Sequence, residues 1–153
     1  MPKAKELIGH EPAAQLAKHN AALIKKEPSL RLIRLRLLKV GGCDVSLMLP
    51  DAELPLLLKR GILFEDCIIR LKKAEGNLCH VNAGRLWLKD KAHLRICTGY
   101  ALSPDGMWRQ HTWLIRSDEK KIIETTVRRT TYYGVVLDPG DESEFFCWNN
   151  ECL

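Results

Sequence analysis

Residues 108–126 read WRQHTWLIRSDEKKIIETT. From Trp108 to Arg116 the chain sustains aromatic and branched residues that favour extended structure. Ser117-Asp118-Glu119-Lys120 is a polar turn signal, and Lys121 opens a second run expected to continue to Arg128. Two strands joined by an even-numbered loop centred on Asp118 and Glu119 set His111 opposite Thr126 and Trp113 opposite Glu124. Alternation puts His111 on the face of Arg109, Trp113 and Ile115, with Glu124 its diagonal neighbour on that face, roughly 7–8 Å away between Cα atoms. A loop one residue longer or shorter moves Glu124 to the opposite face.

Working outward, strands are expected over His93 to Leu102 and Thr131 to Leu137, the first closed by the turn signal Ser103-Pro104-Asp105-Gly106, so that the C-terminal half reads as an antiparallel meander. Upstream, Pro12 to Lys26 carries Ala13, Leu16, Ala17, Ala21 and Ile24 at helical spacing, and Pro28 ends it. Leucine and arginine mostly alternate from Ser29 to Val40 before Gly41-Gly42, which predicts a strand, with a helix as the alternative. Asp51 is expected to cap a short helix ending near Gly61, and a second short helix to run from Phe64 to Lys73. Glu75-Gly76-Asn77 is turn-like, and Cys79 to Leu88 has helical character with Cys79 at its start. The expected architecture is α+β: N-terminal helices packed on an antiparallel β-sheet, with the Cys79 helix against that sheet. Residues 1–153 are read as one domain, comprising a helical part to residue 76, the Cys79 helix and meander over 77–137, and a tail over 138–153.

A composition of 46% hydrophobic and 28% charged residues argues against a disordered or fibrous chain. The 24 Lys and Arg against 19 Asp and Glu leave a mild excess, much of it between Lys25 and Lys39, which admits acidic partners. Charged residues interrupt every apolar run, so no membrane span is expected. The first 26 residues lack the apolar centre of a secretory leader; a cytoplasmic location follows, with signal-independent export as the alternative. Cysteines at 43, 67, 79, 97, 147 and 152 show no regular framework and read as reduced thiols. Cys147 and Cys152 are separated by four residues, but no second Cys or His pair follows, so zinc is a minority reading. The basic run has no helix-turn-helix, zinc-finger or RNP-type aromatic motif, which makes nucleic acid an unlikely partner. Glycine patterns for nucleotide binding are missing too, and no cofactor is expected.

The chemistry-bearing pattern centres on Cys79. A thiol is a weak nucleophile until its pKa falls, and a helix N-terminus with a nearby imidazolium lowers it. Of the five histidines, His10 and His19 lie in a polar region, His93 sits among charges, and His80 is adjacent to Cys79 on a helix and points about 100° away. His80 is better suited to a supporting hydrogen bond. That leaves His111, for which Glu124 is in reach to fix the tautomer and stabilise the imidazolium, completing a Cys79-His111-Glu124 triad. The plain alternatives are a buried small thiol, a satisfied core histidine and an exposed strand carboxylate. Trp87, Trp108, Tyr132 and Tyr133 read as core and sheet packing.

The order cysteine at a helix start, histidine on a strand and acid on the next strand resembles the papain-like superfamily of cysteine hydrolases, including its transglutaminase-like and NlpC/P60-like branches. The strings LCHVN (78–82), GYAL (99–102), WRQHTW (108–113) and IETT (123–126) are similar to those of small bacterial proteins of that type, and the likeness spans roughly residues 77–135. It implies a papain-like core in which Cys79 attacks the carbonyl of a peptide, protein or small amide or ester. The Cys79 N–H would supply one oxyanion donor, Asn77 a second, and Trp113 would shield the His111–Glu124 pair. Papain itself uses a glutamine several residues before its cysteine, where this chain offers Glu75 and Asn77. The competing expectation is a non-catalytic basic module that binds an acidic protein or nucleic acid.

Overall fold

Helix-favouring residues dominate the N-terminal part of the chain. In the computed structural model, which describes residues 10–48, 53–76, 78–116 and 118–151 with side chains from Ala13 to Asn150, they form α1, His10–Lys26, and α2, Leu30–Val40. The second helix corrects the strand expected over Ser29 to Val40. Leucine, arginine and lysine are all good helix formers, and Leu30, Ile33 and Leu37 make a buried stripe at helical spacing. The apparent alternation came from Leu32 and Leu35, which lie on the solvent side with 52% and 53% exposure.

Beyond β1, Asp44–Ser46, helix α3 spans Leu54–Arg60 with a proline in its first turn and stops before Gly61, as expected; the Asp51 cap lies outside the described residues. The helix expected from Phe64 to Lys73 is replaced by β2, Ile62–Leu63, and β3, Ile68–Leu71. Asp66 adopts a left-handed φ of 56°, which no helix continues through. The branched pair Ile68-Ile69 then lies in parallel register with Ile122 and its neighbours. Helix α4, Cys79–Lys89, precedes β4, Leu94–Leu102, β5, Met107–Arg116, β6, Lys121–Glu124, and β7, Thr131–Val136. The stretch read as a tail forms α5, Pro139–Phe146, and a π-helical turn over Cys147–Glu151.

The seven-stranded sheet runs β2-β7-β4-β5-β6-β3, and β1 adds in parallel to the start of β5. The antiparallel expectation therefore holds for β2, β7, β4, β5 and β6 but not for the whole sheet, since β1 and β3 pair in parallel. Nor does β7 extend the meander: it returns to the far side of β4. Cys97, Thr98, Gly99, Tyr100 and Ala101 of β4 are buried, so that strand needs partners on both edges. With β6 ending at Glu124, short of the expected Arg128, the chain is released to cross over.

The five helices of the described residues pack on one face. Leu23, Leu30, Leu37, Leu57, Trp87 and Phe145 meet Ile96, Trp108, Leu114 and Val135 of the sheet there. The other face gathers Cys97, Ala101, Trp113, Ile122 and Tyr132 beneath Phe64, Cys67 and Ile69. Polar contacts lock the layers. Buried Asn20 of α1 donates to the Val45 carbonyl (2.8 Å) and accepts from the Leu47 N–H (3.2 Å). Buried Glu142 of α5 accepts from Arg95 Nε (2.9 Å) and from the Ile96 N–H (3.0 Å). Among the described residues no helix is long and apolar enough to cross a membrane.

Gly99 and Gly134 stand opposite each other in β4 and β7. A Cβ on Gly134 would lie 2.4 Å from the Thr98 carbonyl and 2.6 Å from the Trp113 ring, whereas one on Gly140 would meet nothing within 4 Å. Gly134→Ala is therefore expected to cost about 3 kcal/mol, and Gly140→Ala, in the first turn of α5, to be neutral or slightly stabilising. Urea unfolding midpoints of the two variants check the contrast; equal midpoints would mean that the sheet yields freely around Trp113.

Candidate active site

The site is built at a gap in the sheet. Pairing with β1 ends at Arg109 of β5, and pairing with β6 begins at Leu114, so among the described residues no strand lies in register along that edge between them. Helix α4 begins beside the gap. Its first residue, Cys79, is half-buried, and its sulfur accepts a hydrogen bond from the Thr112 backbone N–H. The next residue anchors the same turn: His80 Nδ1 bonds to Thr112 Oγ1, whose own proton goes to Thr98 Oγ1 at 3.4 Å. His80 thus makes a hydrogen bond of the kind read from its position.

His111 is 2% exposed and Glu124 fully buried. His111 Nε2 lies 2.7 Å from Glu124 Oε1 and 3.0 Å from Oε2, so this nitrogen carries the proton donated to the carboxylate. The other nitrogen is left for the Cys79 side chain, to which His111 is hydrogen-bonded. Glu124 also accepts from Tyr132 Oη (2.8 Å), the Thr126 N–H (3.1 Å) and the Thr126 hydroxyl (3.1 Å). Trp113 is buried beside them, its ring 6.1 Å from that of His111 at 21° and 5.0 Å from that of Tyr132.

Opposing forces set the ionisation of the three groups. Burial disfavours the Cys79 thiolate. The His111 hydrogen bond, the imidazolium charge and the Thr112 N–H outweigh it, holding the thiol below its ordinary pKa, although the Glu124 charge works the other way. Burial likewise disfavours imidazolium at His111, but hydrogen bonds to Cys79 and Glu124 carry its pKa above the ordinary value. For Glu124, burial would raise the pKa, yet His111, Tyr132 and Thr126 bring it below the usual carboxylate value. The arrangement favours a thiolate–imidazolium pair backed by a carboxylate, the ionic form in which a cysteine attacks a carbonyl.

The structure brings together Cys79, His111, Glu124 and Trp113, in the strand register read from the loop length: Leu114, Ile115 and Arg116 face Ile123, Ile122 and Lys121. Asn77 lies outside the described residues, as do the side chain of His10 and all of Cys152. His19 bonds to the Leu47 carbonyl (2.7 Å) and His93 to Asp90 (2.7 Å), both away from the site. Three contributors escaped sequence reading. Tyr132 was assigned to packing, and its bond to Glu124 depends on the long return of β7. Thr126 had a local signal, being two residues beyond a carboxylate whose side chain can bond that N–H. The Thr112 N–H has no side-chain signature. Among the described residues no group of His, Cys, Asp and Glu is arranged to hold a metal ion. No family model matches the chain, and neither a curated protein nor a solved structure matches it.

The shifts define a pH signature. A lowered carboxylate pKa contributes stability that is present above the unfolded value and is lost as pH falls through the folded one. A raised histidine pKa contributes stability that is present below the unfolded value and is lost as pH rises through the folded one. Both contributions are complete between about pH 5 and 6.5. The stability difference between the native chain and Glu124→Gln should peak in that window and shrink below about pH 4. Urea titrations from acid to neutral pH measure it, and a flat difference would rule out an ionised pair. Glu124→Ala, which strands His111 in the interior, should cost about 3 kcal/mol at neutral pH.

Proposed function

We propose that the protein is a thiol-dependent hydrolase or acyl transferase of papain-like type that acts on an amide or ester in the cytoplasm. The observation that carries this reading is the hydrogen-bonded chain from Cys79, at the start of α4, through His111 to buried Glu124. A buried, hydrogen-bonded carboxylate behind a histidine and a partly exposed sulfur in front of it are what nucleophilic catalysis requires. The order of helix, strand and strand along the chain also resembles papain-like cores.

In this mechanism the Cys79 thiolate attacks the carbonyl carbon and the carbonyl electrons move onto oxygen. The Cys79 backbone N–H, at the positive end of α4, donates to that oxygen in this reading. Collapse expels an amine or alcohol, which takes the proton from the His111 nitrogen facing the sulfur, and leaves a thioester. Water or an amine then attacks the thioester while His111 accepts its proton; the second collapse restores the thiolate and the imidazolium. Glu124 keeps the imidazole ring aligned and charged throughout. The carbonyl donor is a peptide, a protein or a small amide or ester.

Iodoacetamide at neutral pH should alkylate Cys79 ahead of Cys67 and Cys97, whose ionisation burial suppresses, and ahead of Cys43 and Cys147. His111→Ala should abolish the preference. Against a panel of fluorogenic amides and esters, Cys79→Ala should lower kcat/KM by on the order of 10⁴. The pH profile should be a bell, rising below the ordinary thiol range as the thiolate forms and falling above the ordinary imidazole range as His111 loses its proton. Peptide mapping after alkylation reads the first result. Uniform labelling of the thiols would sink the enzyme reading and favour the non-catalytic basic module.

A further inference from the structure

We propose that the pocket between the end of α4 and strands β3, β5 and β6 is a binding site for a single phosphoryl group. Its volume is about 170 Å³, and its lining includes Arg70, Lys72, Lys89, Arg116 and Lys121 against one carboxylate, Asp90. It is distinct from the thiol site. The 11-residue helix α4 starts at Cys79 and contributes Leu86 and Lys89 to the pocket, so with a rise of about 1.5 Å per residue the two sites lie about 15 Å apart.

The cations of the pocket are only partly offset by carboxylates, an imbalance that an anion would correct. Arg116 and Lys121 face each other directly across β5 and β6, and like charges so placed repel. Arg70 lies alongside, in register with Ile123, on the sheet face that Lys121 shares. Lys121 has one close partner, Glu119, at 3.0 Å. Arg116 does not: Asp90, Asp118 and Glu119 come only to 3.8–3.9 Å of its nitrogens, and its Nε is buried with no hydrogen-bond partner among the described residues. A guanidinium whose nearest carboxylates stand off at 3.8–3.9 Å, at the wall of a cationic concavity, is a partner for an oxyanion bound there. The negative end of the α4 dipole points this way, and Lys89 in its last turn offsets it.

Shape selects among anions. The volume is below the roughly 300 Å³ of ordinary ligand pockets, so it holds a small anion or the phosphoryl end of a larger ligand. The apolar lining is Leu86, Leu94 and Ile123, with no aromatic ring on which a nucleic-acid base would stack. The cations line one small concavity, which suits a compact dianion and not an extended polyanion.

The test is isothermal titration of the full-length protein with inorganic phosphate, at ionic strength held constant with potassium chloride. Saturable one-site binding is expected. Lys89→Glu and Arg70→Glu, both exposed and checked for native circular dichroism, should weaken it at least tenfold. Lys25→Glu, the same charge change on α1, should leave it unchanged, as should Cys79→Ala. Parallel titrations with a phosphoserine peptide and with ribose 5-phosphate identify the source. Equal affinities mean that the free anion is the ligand, and tighter binding of either organic phosphate means that the phosphoryl group arrives on that molecule. No phosphate binding beyond the chloride control, or equal weakening by Lys25→Glu, would overturn the site.

Discussion

An ionised carboxylate taken out of water is costly unless its lone pairs are occupied, and Glu124, with no exposed surface, has them occupied from three directions. His111 comes from β5, Tyr132 from β7, and Thr126 from the turn that follows β6. Strands β6 and β7 are not neighbours in the sheet, so the carboxylate links parts of the fold that backbone hydrogen bonds leave apart. The bond that orients the imidazole thus also holds the crossover from β6 to β7. Orienting the imidazole and closing the fold are one set of contacts here.

The contrast between two cysteines shows what such contacts do. Cys97, in the middle of β4, is fully enclosed, and burial pushes its thiol pKa well above the ordinary value. Cys79 is half-buried, and its pKa moves the other way, because an imidazole and a backbone N–H face its sulfur. Enclosure by itself keeps a cysteine protonated; donors facing the sulfur favour its thiolate. The Thr112 N–H can face the sulfur because neither β1 nor β6 occupies that stretch of β5. The gap in the sheet edge is therefore part of what acidifies the thiol.

What could be read from the sequence divides along physical lines. Strand alternation and loop length are local, and they sufficed to set His111 and Glu124 on one face. The start of α4 at Cys79 was local as well, following the polar turn before it. The α2 segment could not be decided by pattern, because exposed Leu32 and Leu35 gave a helix the look of a strand until the buried stripe of Leu30, Ile33 and Leu37 is seen against the sheet. Strand β3 exists through parallel pairing with β6, a contact between segments about fifty residues apart that local propensity does not report. Tyr132 reaches Glu124 only because β7 crosses to β4, and that too is a property of the whole sheet.

Trp113 carries this dependence to its limit. Its ring is completely buried against Phe64, His111 and Tyr132, and its indole N–H is buried with no acceptor among the described residues. An orphaned donor of this kind costs about 1–3 kcal/mol, so other contacts must hold the ring in place. Gly134 removes the side chain that would strike it, and three aromatic neighbours fill the rest of its surroundings. The return is electrostatic. The Trp113 ring stands 6.1 Å from that of His111, beside a His111–Glu124 bond whose two members are both buried, and in a drier, less polarisable setting that bond strengthens. A smaller apolar side chain would relieve the orphaned N–H but leave a cavity among Phe64, His111 and Tyr132, so the cost of the unbonded donor is set against the packing that its ring supplies.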